Sequence, residues 1–80
     1  MNENIKKMCL ELAEKALTTD GVTVTTNDYI VSVFHHVGEN RDVMWYKNIH
    51  FTIESLDHEK DLTEALDYID ALRLKQFKVS

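Results

Sequence analysis

The sequence predicts an α+β domain: a helix, a three-stranded antiparallel meander and a second helix, with the helices packed on one face of the sheet. Three observations carry this expectation. Apolar residues near each end recur at helical spacing, and the stretch between them is dense in β-branched and aromatic residues. Gly38-Glu39-Asn40-Arg41 divides that middle stretch as a hairpin loop would. With 80 residues the chain is expected to form one compact domain over 1–80.

The first helix is expected from about Asn4 to Leu17. Ile5, Met8, Cys9, Leu12 and Ala16 make one apolar stripe, and Lys7, Glu11, Glu14 and Lys15 lie mostly off it. Glu11 precedes Lys15 by four residues, the favoured order for a helical ion pair. Asp20-Gly21 supplies a stop and a turn. Val22 to Thr25 is a short strand, after which Thr26-Asn27-Asp28 can turn the chain.

Tyr29 to Val37, YIVSVFHHV, is expected as the second strand. Its Ile30, Val33, Phe34 and Val37 also fit a helical pattern, with Thr26 and Gly38 as caps. The β-branched content and the adjoining hairpin loop favour the strand. Val43 to Glu54 is the third strand, with Trp45, Ile49, Phe51 and Ile53 on one parity. Leu62, Ala65, Leu66, Ile69 and Leu72 form the stripe of the last helix, while Lys60, Glu64, Asp67 and Asp70 occupy its other faces. Asp57, Glu59 and Asp61 crowd its start, and Arg73, Lys75 and Lys78 follow its end, an order that complements the helix macrodipole.

Nine Lys and Arg against 14 Asp and Glu leave a net charge of −5. Hydrophobic residues at 44% are too many for a disordered polyelectrolyte, and no apolar run approaches the roughly 18 residues of a membrane span. The basic residues are scattered, so the footprint that displaces counterions from phosphates is missing and no direct nucleic-acid binding is expected. Glu11 and Glu14 interrupt what would be the apolar region of a secretory signal. With a lone thiol at Cys9, the expected compartment is a reducing cytoplasm.

Chemistry-bearing patterns are few. His35 and His36 are adjacent, so on a strand they point to opposite faces and cannot both hold one ion. His50 and His58 complete the histidines without a zinc-binding spacing. Cys9 sits on an apolar stripe, where Cys behaves as a small hydrophobe. No nucleophile elbow, phosphate-binding loop or dinucleotide fingerprint occurs. The expectation is a non-catalytic protein with no cofactor and no metal; a small metal-binding or hydrolytic protein is the remote alternative.

The helix–strand–strand–strand–helix order resembles that of double-stranded-RNA-binding domains, which have similar length. Those domains carry a lysine-rich start to their final helix. Here the same place reads Asp57-His-Glu-Lys-Asp61, which repels phosphate, so no binding residues carry over.

The sheet holds the most informative pattern. If Val37 pairs with Asp42, the register places Phe34 opposite Trp45 and Ile30 opposite Ile49. Ile30, Phe34, Val43, Trp45, Ile49, Phe51 and Ile53 then share the helix-covered face. Tyr29, Val31, Val33, Val37, Met44 and Tyr46, with His35 and His50, share the other. A second apolar face without a cover implies an interaction surface, for which Tyr29, Val31, Val33, Met44 and Tyr46 are the candidates. The expected function is protein–protein interaction, with a protein partner or as a homodimer. The alternative is an inhibitor that occupies the nucleic-acid-binding surface of a host enzyme through Asp57, Glu59, Asp61, Glu64 and Asp67. In composition, small acidic chains of this kind resemble phage or mobile-element accessory factors.

Overall fold

A computed structural model describes residues 3–27, 29–52 and 57–78, with side chains as far as Gln76. The elements are α1 (Glu3–Leu17), β1 (Val22–Thr26), β2 (Ile30–Val37), β3 (Asp42–His50) and α2 (His58–Lys78). The strands pair antiparallel in the order β1-β2-β3, and both helices lie on one side of the sheet. Residues 29–37 are thus extended, and the helical alternative for them is excluded. None of the described helices is long and apolar enough to cross a membrane.

Local chemistry sets each boundary. Thr19, buried, donates from Oγ1 to the Lys15 carbonyl at 2.6 Å and closes the end of α1. Gly21 then turns the chain at φ 78°, where its carbonyl accepts the His36 amide at 2.7 Å. A Cβ at this position would sit 2.5 Å from the His36 carbonyl oxygen, which is held in the sheet. Gly21→Ala therefore combines left-handed backbone strain with a backbone clash. We expect a loss on the order of 2 kcal/mol, read from the urea midpoint.

Asn27 Oδ1 accepts the amides of Tyr29 and Ile30 and fixes the β1–β2 turn. Asp57 caps α2 by accepting the Lys60 amide at 3.0 Å, and its carbonyl takes the first helical bond from Asp61. Asp20 and Gln76 exchange two hydrogen bonds of 3.1 Å, tying the α1–β1 turn to the far end of α2.

The core lies between the layers. Leu12 of α1, Val31 and Val33 of β2, Ile49 of β3, and Leu62, Ala65, Leu66 and Ile69 of α2 form one buried cluster. Ile5, Met8, Cys9, Val22, Val24, Trp45 and Phe51 pack around it. The helical stripes are those the sequence shows, and Glu11 pairs with Lys15 at 3.4 Å as its spacing implies.

Two expectations for the sheet are corrected. Val31 and Val33, expected on an uncovered face, are each 1% exposed and belong to the core. Ile30 and Phe34, expected in the core, lie on the opposite, uncovered face beside Ser32 and His36. The cause is a β-bulge. His36 pairs with Val43 and His35 with Trp45, so Met44 is an extra residue in β3. Counting from the hairpin gives the right pairs only up to Val43. Beyond it Phe34 faces Tyr46, and Ile30 faces His50. The chain also leaves the strand after His50, and Phe51 begins a turn. Ile53 and Glu54, expected to finish β3, lie outside the described residues.

Candidate interaction face

The uncovered sheet face is built from alternate residues of three strands. Its central row runs Thr23–Phe34–Tyr46, and the next runs Thr25–Ser32–Asn48. Ile30 pairs with His50 at one end, and His36 with Val43 at the other. Phe34 is the hub. Its ring stacks on Tyr46 at 6.4 Å and on His36 at 6.0 Å, both at 25°. Tyr46 is 62% exposed and Val43 50% exposed, so no described residue covers this end of the face. None of these ten residues carries an Asp, Glu, Lys or Arg side chain.

Of the five residues expected to form a binding patch, Tyr29, Met44 and Tyr46 are exposed and Val31 and Val33 are not. Only Tyr46 belongs to the central row. The sequence reading missed Phe34, His36 and Val43 as one surface. The signal was present as i, i+2 alternation, but the bulge shifted its phase relative to β3.

The edges of the sheet are guarded against strand addition. β3 carries the bulge at Met44 and an inward-pointing lysine, two devices that disfavour edge pairing. Lys47 reaches the helix layer, where it meets Glu64 at 2.7 Å and Asp61 at 3.3 Å. Its hydrogen bond to Glu64 raises its pKa and lowers that of Glu64. β1 is only five residues long and presents two outward threonines.

Three of the five carboxylates expected to form an acidic face have local partners in the fold. Asp57 is the helix cap, and Asp61 and Glu64 share Lys47. Glu59 and Asp67 are exposed. Asp70 pairs with Lys15 across the helices at 2.7 Å, and that hydrogen bond raises the lysine's pKa.

On the helix-covered side, His35 Nδ1 and the Tyr68 hydroxyl share a 2.7 Å hydrogen bond, and Trp45 stacks on Tyr68 at 4.1 Å. Burial, then the neighbouring His36, holds the His35 pKa below its ordinary value. The unfolded chain therefore binds a proton more readily than the folded one. This contribution to stability is complete above the usual histidine value of about 6.5 and is lost as pH falls below it. Thermal melts should show the wild type losing more stability than His35→Asn between about pH 7 and pH 5.5.

Among the described residues, no three His, Cys, Asp or Glu side chains converge as a metal site would require. A cleft of about 380 Å³ lies beside α1, lined in part by Lys6, Cys9, Asn27 and Phe51. Burial pushes the Cys9 thiol above its usual range, away from the thiolate form that nucleophilic chemistry needs. No family model, curated protein or solved structure matches this chain.

Proposed function

We propose that this protein is a non-catalytic interaction module that binds protein through the outer face of its sheet. One observation carries the reading: a sheet face centred on stacked Phe34, Tyr46 and His36, without formal charge, left open by the fold. Antiparallel sheets that face water normally alternate to polar residues, and six of the ten residues of this face do so; the departure is the group Ile30, Phe34, Val43 and Tyr46. Aromatic residues are enriched at interfaces, and charged ones are depleted from their cores. The same lack of charge argues against a nucleic-acid ligand, since a phosphate backbone would find no Lys or Arg among the described residues of this face.

The test is capture by immobilised wild type, Phe34→Glu, and a double variant, Glu59→Gln with Asp67→Asn. Binding through the sheet face predicts a captured protein that is lost with Phe34→Glu and retained by the double variant. Capture indifferent to Phe34→Glu overturns the reading. Capture lost only with the double variant transfers the function to the acidic helix surface.

A further inference from the structure

We infer that the open edge of β1 takes an added strand, an extended segment of another protein whose alternate apolar side chains fill the groove between α1 and β1. This surface is separate from the outer sheet face and does not rest on that reading. Four observations support it.

The first is the phase of the backbone. β1 lies at the edge of the sheet. At its two ends the Gly21 carbonyl accepts the His36 amide, and the Asn27 amide donates to the Ile30 carbonyl. Hydrogen-bonded pairs in an antiparallel ladder recur at every second residue, so Thr23 and Thr25 also turn their N–H and C=O groups toward β2. Val22, Val24 and Thr26 turn theirs outward, where no described residue pairs with them. An incoming strand therefore meets a ready row of donors and acceptors.

The second is the groove beside that edge. Two helices about 10 Å apart lie on three strands whose outer axes are also about 10 Å apart, so α1 sits over β1 and overhangs it. Lys6, Leu10, Ala13 and Leu17 follow one another along this overhang at helical spacing. Leu10 is 58% exposed and Leu17 88% exposed. Beneath them the cleft of about 380 Å³ reaches Thr26, and a second of about 310 Å³ reaches Val22 and Val24. Ala13 lines both, so the clefts adjoin and run in line along β1. Side chains on one face of a strand repeat at about 6.8 Å, so two or three from an added strand would enter this groove.

The third is the contrast between the two edges. β3 is guarded by its bulge and its inward lysine. β1 has a regular register and no charge in Val22-Thr-Val-Thr-Thr26. Its guard is its length of five residues, which limits the strand that can be added without refusing a short one.

The fourth is charge. Lys6 is the one formal charge lining the two clefts, and no carboxylate pairs with it among the described residues. It favours an acidic side chain on the occupant. A second copy of β1 does not supply one: that strand has no carboxylate, and its Val22 and Val24 already pack against their own core. The occupant is therefore a different chain, extended, alternately apolar and acidic near the Lys6 end.

A phage-displayed library of random short peptides, panned on the immobilised full chain, tests this. The expected result is enrichment of peptides that alternate apolar with polar residues and carry a carboxylate. A synthetic copy of an enriched peptide should bind in roughly the 10–100 µM range and slow hydrogen exchange at the amides of Val22, Val24 and Thr26. Leu10→Glu and Leu17→Glu, folded by circular dichroism, should each weaken that binding about tenfold or more. Thr26→Pro removes one outward N–H and no ladder bond, and should also weaken it. Lys6→Glu should cost roughly threefold, regained when the peptide's carboxylate is changed to lysine. Phe34→Glu should bind like wild type. No enriched peptide, or peptides indifferent to Leu10→Glu, Leu17→Glu and Thr26→Pro, overturns the inference. Binding lost only with Phe34→Glu also overturns it and assigns the peptide to the outer sheet face. Exchange protection of the outward β1 amides that rises with the protein's own concentration overturns it in favour of a second copy.

Discussion

Val33→Glu is expected to unfold the protein, and Phe34→Glu, one residue further along the same strand, is expected to leave it folded. Val33 is 1% exposed and lies in the cluster with Leu12, Ile49 and Leu62. A glutamate there must either ionise in the core, at a cost of several kcal/mol, or remain protonated with unsatisfied polar atoms, at about 2–7 kcal/mol. The valine's own burial, worth about 1.5–3 kcal/mol, is lost as well. At roughly 0.05–0.15 kcal/mol per residue, a chain of this length has a total stability of about 4–12 kcal/mol. The substitution takes most or all of that margin. Phe34 is half-buried, and its glutamate keeps access to water. The cost there is mainly the cross-strand pair with Tyr46 and the ring's partial burial, about 1 kcal/mol. Circular dichroism and Trp45 fluorescence should report an unfolded Val33→Glu and a native Phe34→Glu. A folded Val33→Glu beside an unfolded Phe34→Glu would mean that the bulge at Met44 is absent and the two faces of β2 are exchanged.

That comparison shows where the sequence was legible. Helical spacing carries its own phase, because each turn repeats the stripe. Leu62, Ala65, Leu66 and Ile69 are therefore found buried where the pattern puts them. The strand–hairpin–strand order was equally clear, from β-branched density and from Gly38, which takes φ 78° in the loop. The faces of β2 were not. A strand's alternation has two phases, and both sets in β2 contain apolar residues: Ile30 and Phe34 on one, Val31 and Val33 on the other. The choice then falls on the register with β3, which one extra residue reverses. Nothing in Val43-Met-Trp45 announces a bulge, since no glycine marks it. Lys47 did offer a clue. It shares the parity of Trp45 and Ile49, and a lysine on a core-facing parity implies a carboxylate waiting on the helix, as Glu64 and Asp61 prove to be.

Ile69→Ala should destabilise the protein more than Leu66→Ala, and Asp67→Ala should change little. All three residues lie within a single turn of α2, so helix propensity and distance from the ends are nearly shared. What separates them is the direction each side chain points. Ile69 is 0% exposed, and truncating it removes three carbons from a site with neighbours on every side. Such losses run to about 2–5 kcal/mol, with the upper part of the range where the surroundings cannot collapse into the space. Leu66 keeps 9% exposure, so water can reach part of the space its side chain vacates, and the loss falls toward the lower part of about 2–5 kcal/mol. Asp67 is exposed, and alanine improves the local helix propensity as it removes a solvated charge, for a net change within about 0.5 kcal/mol. Urea melts at one pH would order the three. The order would change if α2 were rotated about its axis, because a rotation of about 100° moves position 67 to where 66 now sits. Asp67→Ala as the costliest change would therefore displace the helix from the face that closes the core, and with it the two-layer arrangement that leaves the far side of the sheet open.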